Sequence, residues 1–204
     1  MTTSRLFLYA RSRAVPGTLV ALAGTTVLAV WAAARLDSYL DPWRRVPVVA
    51  LAPLLAAAVI GVGLSSPSEE LDRTAVRPWW PRRLAQLAGL TALAAALLPL
   101  AVLGHPEIFG PPAVIRNTLG CTGVTAAAAV LLGARPSWLP AFGYVSAVYL
   151  ASAGPHGRWT ALWAWPVQPW AQPAAWAAAL SAFAVGGALY VVHGARPEGP
   201  RSGG

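Results

Sequence analysis

The sequence predicts an all-α fold, a polytopic membrane helix bundle with six transmembrane helices and both termini cytoplasmic. Three observations carry this. Six stretches, 14–34, 46–64, 84–103, 117–134, 137–153 and 174–192, hold no formal charge for 17 to 21 residues at a time, and a helix needs about 20 apolar residues to cross the hydrocarbon core. Apolar residues make up 56% of the 204-residue chain and charged residues 11%, under half of the ~25% usual in soluble domains. The arginines also gather in alternate loops, the asymmetry that orients membrane helices. In lipid an unpaired backbone amide costs several kcal/mol, so each stretch satisfies its hydrogen bonds internally as a helix. Residues 1–193 are therefore expected to form a single six-helix membrane domain, followed by a disordered Gly-, Pro- and Arg-rich tail over 194–204.

The first stretch follows Arg5, Arg11 and Arg13 and ends in Ala32, Ala33 and Ala34, features shared with cleavable signal peptides. Its length argues for a retained span, because the apolar region of a signal peptide is typically about 7 to 15 residues. Before it, Leu6, Phe7, Leu8 and Tyr9 lie between Arg5 and Arg11, a pattern that suits either a short helix in the headgroup plane or an ordinary flanking segment.

Between the second and third stretches lies the most polar part of the chain. Ser66 can cap a helix, Pro67 suits its first position, and Glu69 completes a capping box. Glu69, Glu70 and Asp72 would sit at the positive end of the helix dipole, with Arg73 and Arg77 toward its negative end. Glu69 and Arg73 also form an i, i+4 pair. Pro78 stops this helix, and Trp79 and Trp80 with Arg82 and Arg83 read as an interfacial anchor for the third span.

The fourth stretch begins after Arg116 and includes Asn117, Thr118, Thr122 and Thr125, and the fifth is the shortest. These polar groups, with Thr25, Thr26, Thr91 and Ser181, suit helix-to-helix hydrogen bonds of ~0.6 to 2 kcal/mol. Gly120, Gly123, Gly186 and Gly187 suit close helix packing. Between the fifth and sixth stretches, residues 154–173 carry Trp159, Trp163, Trp165 and Trp170, interrupted by Pro155, Pro166, Pro169 and Pro173. That density of Trp and Pro cannot be one regular helix. It fits half-inserted or re-entrant structure, or a plain belt of interfacial Trp anchors.

Orientation follows from the arginines, which account for all 15 basic residues. With the N-terminus inside, ten are cytoplasmic: Arg5, Arg11, Arg13, Arg73, Arg77, Arg82, Arg83, Arg135, Arg196 and Arg201. Five are outside: Arg35, Arg44, Arg45, Arg116 and Arg158. The net charge of +8 would suggest nucleic acid in a soluble protein, but here anionic lipid headgroups are the nearer partner.

The sequence gives no sign of an enzyme or of a cofactor. A catalytic site needs a nucleophile, a base and a geometry linking them, or a metal cluster. GxSxG, H-E-x-x-H and GxxxxGK[ST] are all missing. His105 and Glu107 are only two possible metal ligands, and the single Cys121 has no disulfide partner. The spans as delimited contain no ionisable group apart from His193, at the edge of the sixth, whereas ion-coupled carriers place such groups inside the bundle.

At the level of the whole chain, this arrangement resembles a small ABC-2-type transporter permease. The elements that carry the resemblance are the N-terminal segment Arg5 to Arg13, the capped loop helix Ser66 to Arg77, and the Trp-Pro segment Gly154 to Pro173. The resemblance implies an exporter subunit of the cell inner (plasma) membrane, acting as a homodimer or as a heterodimer with a second permease. A separate ATPase would bind Glu69, Glu70, Asp72, Arg73 and Arg77. The chain also resembles uncharacterised actinobacterial-type membrane proteins through the patterns Ser66–Leu71, Arg116–Gly123 and Trp165–Pro169. A non-enzymatic membrane scaffold or immunity subunit is the alternative, and a lipid-modifying intramembrane enzyme a third class.

Overall fold

A computed structural model of the protein describes residues 15–36, 46–65, 79–103, 109–151 and 158–197. Every regular element among them is helical. Helix α1 (Val15–Leu36) and helix α2 (Val46–Gly63) follow the first two apolar stretches. Helix α3 (Trp80–Leu97) starts with Pro81 in its first turn and tightens at Pro99 into a 3₁₀ turn, Leu98–Val102. Helix α4 (Pro111–Leu132) is opened by Pro111 and Pro112 after an extended Gly110, which uses proline where its missing N–H is not needed. Helix α5 (Trp138–Ala151) has 14 residues. The short helix α6 (Arg158–Trp163) and a 3₁₀ turn at Trp165–Val167 lead to helix α7 (Pro173–His193). Helices α4 and α7 both stop at a glycine with positive φ, Gly133 (95°) and Gly194 (78°), a backbone conformation that side chains with a Cβ rarely adopt.

Four of these elements are long and apolar enough to cross a membrane: Pro16–Arg35, Trp80–Val102, Pro111–Leu132 and Pro173–His193. Helices α2 and α5 are shorter apolar helices. Burial assigns them different places. Of the α4 window 67% is buried, against 39%, 28% and 22% for those of α3, α7 and α1, so α4 is the axis around which the others pack.

Polarity is distributed inside out. The fully enclosed residues of α4 include Arg116, Asn117, Thr118, Thr122 and Thr125, while Val20, Val27, Trp31, Leu150, Val185 and Val192 are exposed. Hydrocarbon favours such an exterior, and water does not. Close packing along α4 depends on glycine. A Cβ on Gly186 of α7 would overlap the carbonyl oxygen of Gly123, and a Cβ on Gly123 would overlap the main chain at Ala182 and Phe183. The two backbones therefore touch directly, as small residues permit between membrane helices.

Most span hydroxyls do not bridge helices as the sequence suggested. Thr25, Thr26, Thr91 and Thr118 each donate to the carbonyl four residues earlier in their own helix, which satisfies the hydroxyl locally. Longer polar side chains make the cross-links. At one end of the bundle, Gln86 Nε2 donates to the Gly63 carbonyl at 2.8 Å and Tyr190 Oη to that of Leu64 at 3.4 Å. At the same end, Arg196 uses its backbone N–H for the Ala129 carbonyl at 2.8 Å and its guanidinium for that of Leu131 at 3.1 Å. A cation on the last carbonyls of α4 also complements the negative end of the helix dipole.

Candidate functional site: a buried arginine and the broken helix it holds

Arg116 and Asn117 stand five and six residues into α4, roughly 8 Å from its start, and both are 0% exposed. The sequence reading put Arg116 in an outer loop and began the span at 117. The structure corrects both, because the helix starts at Pro111 and takes the charge inside. What makes this tolerable is a set of main-chain acceptors on the segment between α5 and α7. Arg116 Nη2 donates to the Gln168 carbonyl at 2.7 Å and Nη1 to the Pro169 carbonyl at 2.9 Å. Its Nε donates to Asn117 Oδ1 at 3.2 Å.

The segment that offers these carbonyls folds as it does because of its prolines. Helix α6 ends where Ala164 donates to the Thr160 carbonyl, and Pro166 and Pro169 then have no N–H with which to continue a helical ladder. The carbonyls freed by the break turn toward the bundle, where buried acceptors require donors. Asn117 Nδ2 reaches that of Pro166 at 2.7 Å, and the Tyr144 hydroxyl of α5 donates to that of Trp163. Carbonyls at 163, 166, 168 and 169 are thus gripped by three side chains from two helices. Trp165 is 4% exposed and lies across Gly120, where a Cβ would run into its indole ring.

Asn117 closes a second gap in the backbone. Pro53 lies inside α2, and a proline leaves the carbonyl four residues earlier without its helical donor. That residue is Val49, and its carbonyl accepts the other Asn117 amide hydrogen at 2.9 Å. One side chain therefore repairs a break in α2 and another in the α5–α7 connection.

Among the described residues, which contain neither Asp nor Glu, the Arg116 charge meets dipoles: two carbonyls and one amide oxygen. Three of its five N–H donors have these acceptors, and the Gln168 side chain, 4% exposed, keeps a buried Nε2 with no hydrogen-bond partner. Ionisable groups inside a membrane bundle are costly and mark function by default. No family model, curated protein or solved structure matches this chain significantly.

The other sequence candidates fall in different places. Glu69, Glu70, Asp72, Arg73 and Arg77, and the helix expected at 66–77, lie outside the described residues, as do the segment 1–14, His105 with Glu107, and most of the tail. Trp79 and Trp80 open α3, where the Arg82 guanidinium lies 4.7 Å from the Trp79 ring centroid and Trp80 is exposed. Trp163 and Trp170 are exposed near the other end of the bundle, and Trp159 belongs to α6. Trp165 is not such an anchor but a core residue that fills the groove over Gly120. Cys121 is buried, and among the described residues no group of three or more His, Cys, Asp or Glu could hold a metal.

The patterns Arg116–Gly123 and Trp165–Pro169, noted separately in the sequence, are two sides of one contact. Arg116, Asn117 and Gly120 receive the main chain and indole of Trp165–Pro169. Pro53 and Tyr144 were missed. A proline in one apolar span and a carboxamide in another would have been the available signal for the first, since each lacks what the other supplies.

Proposed function

We propose that the chain is a multi-pass protein of the cell inner (plasma) membrane that serves as the membrane-spanning subunit of an ATP-driven, ABC-type exporter. The carrying observation is the broken helical segment between α5 and α7, buried against α4 rather than looping away from it. A re-entrant element before the last span is what the exporter resemblance implies at this place. Four membrane-length helices and an apolar exterior support residence in a bilayer. In this reading α2 and α5, about 27 and 21 Å long at 1.5 Å per residue, complete six spans, and α6 with its 3₁₀ turn fills the depth that α5 leaves. Both termini are cytoplasmic. Withdrawing Arg116 into the bundle leaves ten arginines inside and four outside, which strengthens the bias that favours this orientation.

ATP is hydrolysed by a separate chain, which docks on the helix expected at Ser66 to Arg77 through Glu69, Glu70, Asp72, Arg73 and Arg77. The working unit is a dimer or a pair with a second permease. A reporter fused after Ser66 is expected on the cytoplasmic side and one inserted near Gly157 on the outer side; opposite locations would overturn the orientation. The coupling role is tested by reversing Glu69, Glu70 and Asp72 to Arg. Loss of desolvated charge pairs at roughly 2 to 5 kcal/mol each should abolish copurification with the ATPase, while the helix itself loses only about 1 kcal/mol per site or less. Unchanged copurification with normal insertion would remove the exporter reading.

A membrane scaffold or immunity subunit is favoured by a different observation. The direct backbone contact of Gly123 with Gly186 fixes α4 against α7, and close-packed interfaces of this kind deform little. The copurification result separates the two.

A further inference from the structure

We propose that Arg116 and Gln168 form a buried anion site, one that takes a halide-sized ion or a headgroup oxygen of an anionic lipid beneath the Trp165–Pro169 segment. The inference does not depend on an ATPase partner and goes beyond the exporter reading. It starts from a count of hydrogen-bonding groups. Around Arg116 the acceptors in use are the carbonyls of Gln168 and Pro169 and the amide oxygen of Asn117. Both Asn117 amide hydrogens are taken, by the carbonyls of Val49 and Pro166. What remains is two N–H groups on the guanidinium and the Gln168 Nε2, which is buried and has no partner. The buried groups left over are donors, and among the described residues, which include neither Asp nor Glu, the local charge is positive. Their complement is an electron-rich ligand that carries negative charge.

Two further observations agree with this. The charge lies in the first part of α4, so the positive end of the helix dipole adds to the potential of the guanidinium and favours an anion there. Gln168 belongs to both halves of the arrangement: its carbonyl accepts from Arg116 at 2.7 Å, and its own amide supplies the unpartnered donor. The ligand is covered by a segment that side chains hold through its carbonyls. Entry therefore requires that segment to lift and release hydrogen bonds, without unpacking the glycine contact of α4 with α7.

The test uses the purified full-length chain in phosphatidylcholine nanodiscs, with chloride replacing gluconate at constant ionic strength. Chloride is expected to raise the unfolding temperature saturably, by about 3 to 6 °C at ten times its dissociation constant. Arg116→Gln should lose this response. Because that variant could fail to fold, Gln168→Glu is the decisive one: its carboxylate supplies the anion internally, so the protein should be as stable in gluconate as the parent is in chloride, with no further gain from chloride. A second arm replaces phosphatidylcholine with phosphatidylglycerol. Stabilisation in gluconate that chloride does not increase, and that Arg116→Gln abolishes, would support the same site and identify the headgroup of an anionic lipid as the source. An unfolding temperature independent of both anion and lipid, or a Gln168→Glu protein that still responds to chloride, would overturn the proposal.

Discussion

Replacing Gly186 with alanine is expected to destabilise the bundle by about 3 kcal/mol or more, while the same change at Gly187 costs under about 0.5 kcal/mol. The two glycines are neighbours in α7, and both gain about 1 kcal/mol of helix propensity on becoming alanine. They differ only in what the new methyl group meets. At Gly186 it overlaps the carbonyl oxygen of Gly123, a main-chain atom that cannot rotate away, whereas at Gly187 the nearest atom is Cδ2 of Leu87 at 3.5 Å, an ordinary contact. The strain at 186 can be relieved only by moving α7 away from α4, which loosens the largest interface of the central helix. Unfolding of the two variants in the same lipid or detergent gives the comparison. Equal sensitivity would mean that the helices are further apart than described.

The second large effect is at Asn117. Asn117→Leu leaves the carbonyls of Val49 and Pro166 buried without donors, at about 1 to 3 kcal/mol each, so a loss near 4 kcal/mol is expected. Only one of the two losses can be repaired from within the backbone. Pro53→Ala restores the N–H that α2 lacks at that position, directed at the Val49 carbonyl, and should recover about 1 to 2 kcal/mol in the Asn117→Leu background. In the parent the same change should do little, because Val49 is already satisfied. A double-mutant cycle reads the difference as a coupling energy. If the two substitutions prove additive, Asn117 does not compensate for the proline.

How far these features could be read from residues alone depended on the range of the interaction. The six apolar stretches became six helices, and their limits agree to within about two residues for α1, α2, α5 and α7, because a run without charges is a local property. Helix α4 starts at 111, six residues before its charge-free stretch begins at 117, because the Pro111–Pro112 pair and not the charge marks the helix start. The cation therefore lies inside the helix. Its burial had no local signature, since the acceptors are main-chain carbonyls 52 and 53 residues away, and every residue type has a carbonyl. Gly123 and Gly186 were recognised as packing positions from size alone. Trp165 was not separated from Trp163 and Trp170, because only the opposing Gly120 distinguishes its place.

The distance in sequence between Arg116 and its acceptors also orders events while the chain is being made. Arg116 is made before the carbonyls of Gln168 and Pro169, which follow it by 52 and 53 residues. At about 5 to 20 residues per second, the guanidinium spends roughly 3 to 10 s without them. During that interval the central helix is the span least suited to lipid, and hydrated surroundings at the insertion machinery are the favourable place for its charge. The peripheral helices, with little buried polarity, can partition as they emerge. The enclosure of Arg116 in the finished bundle therefore waits for the arrival of Trp165–Pro169.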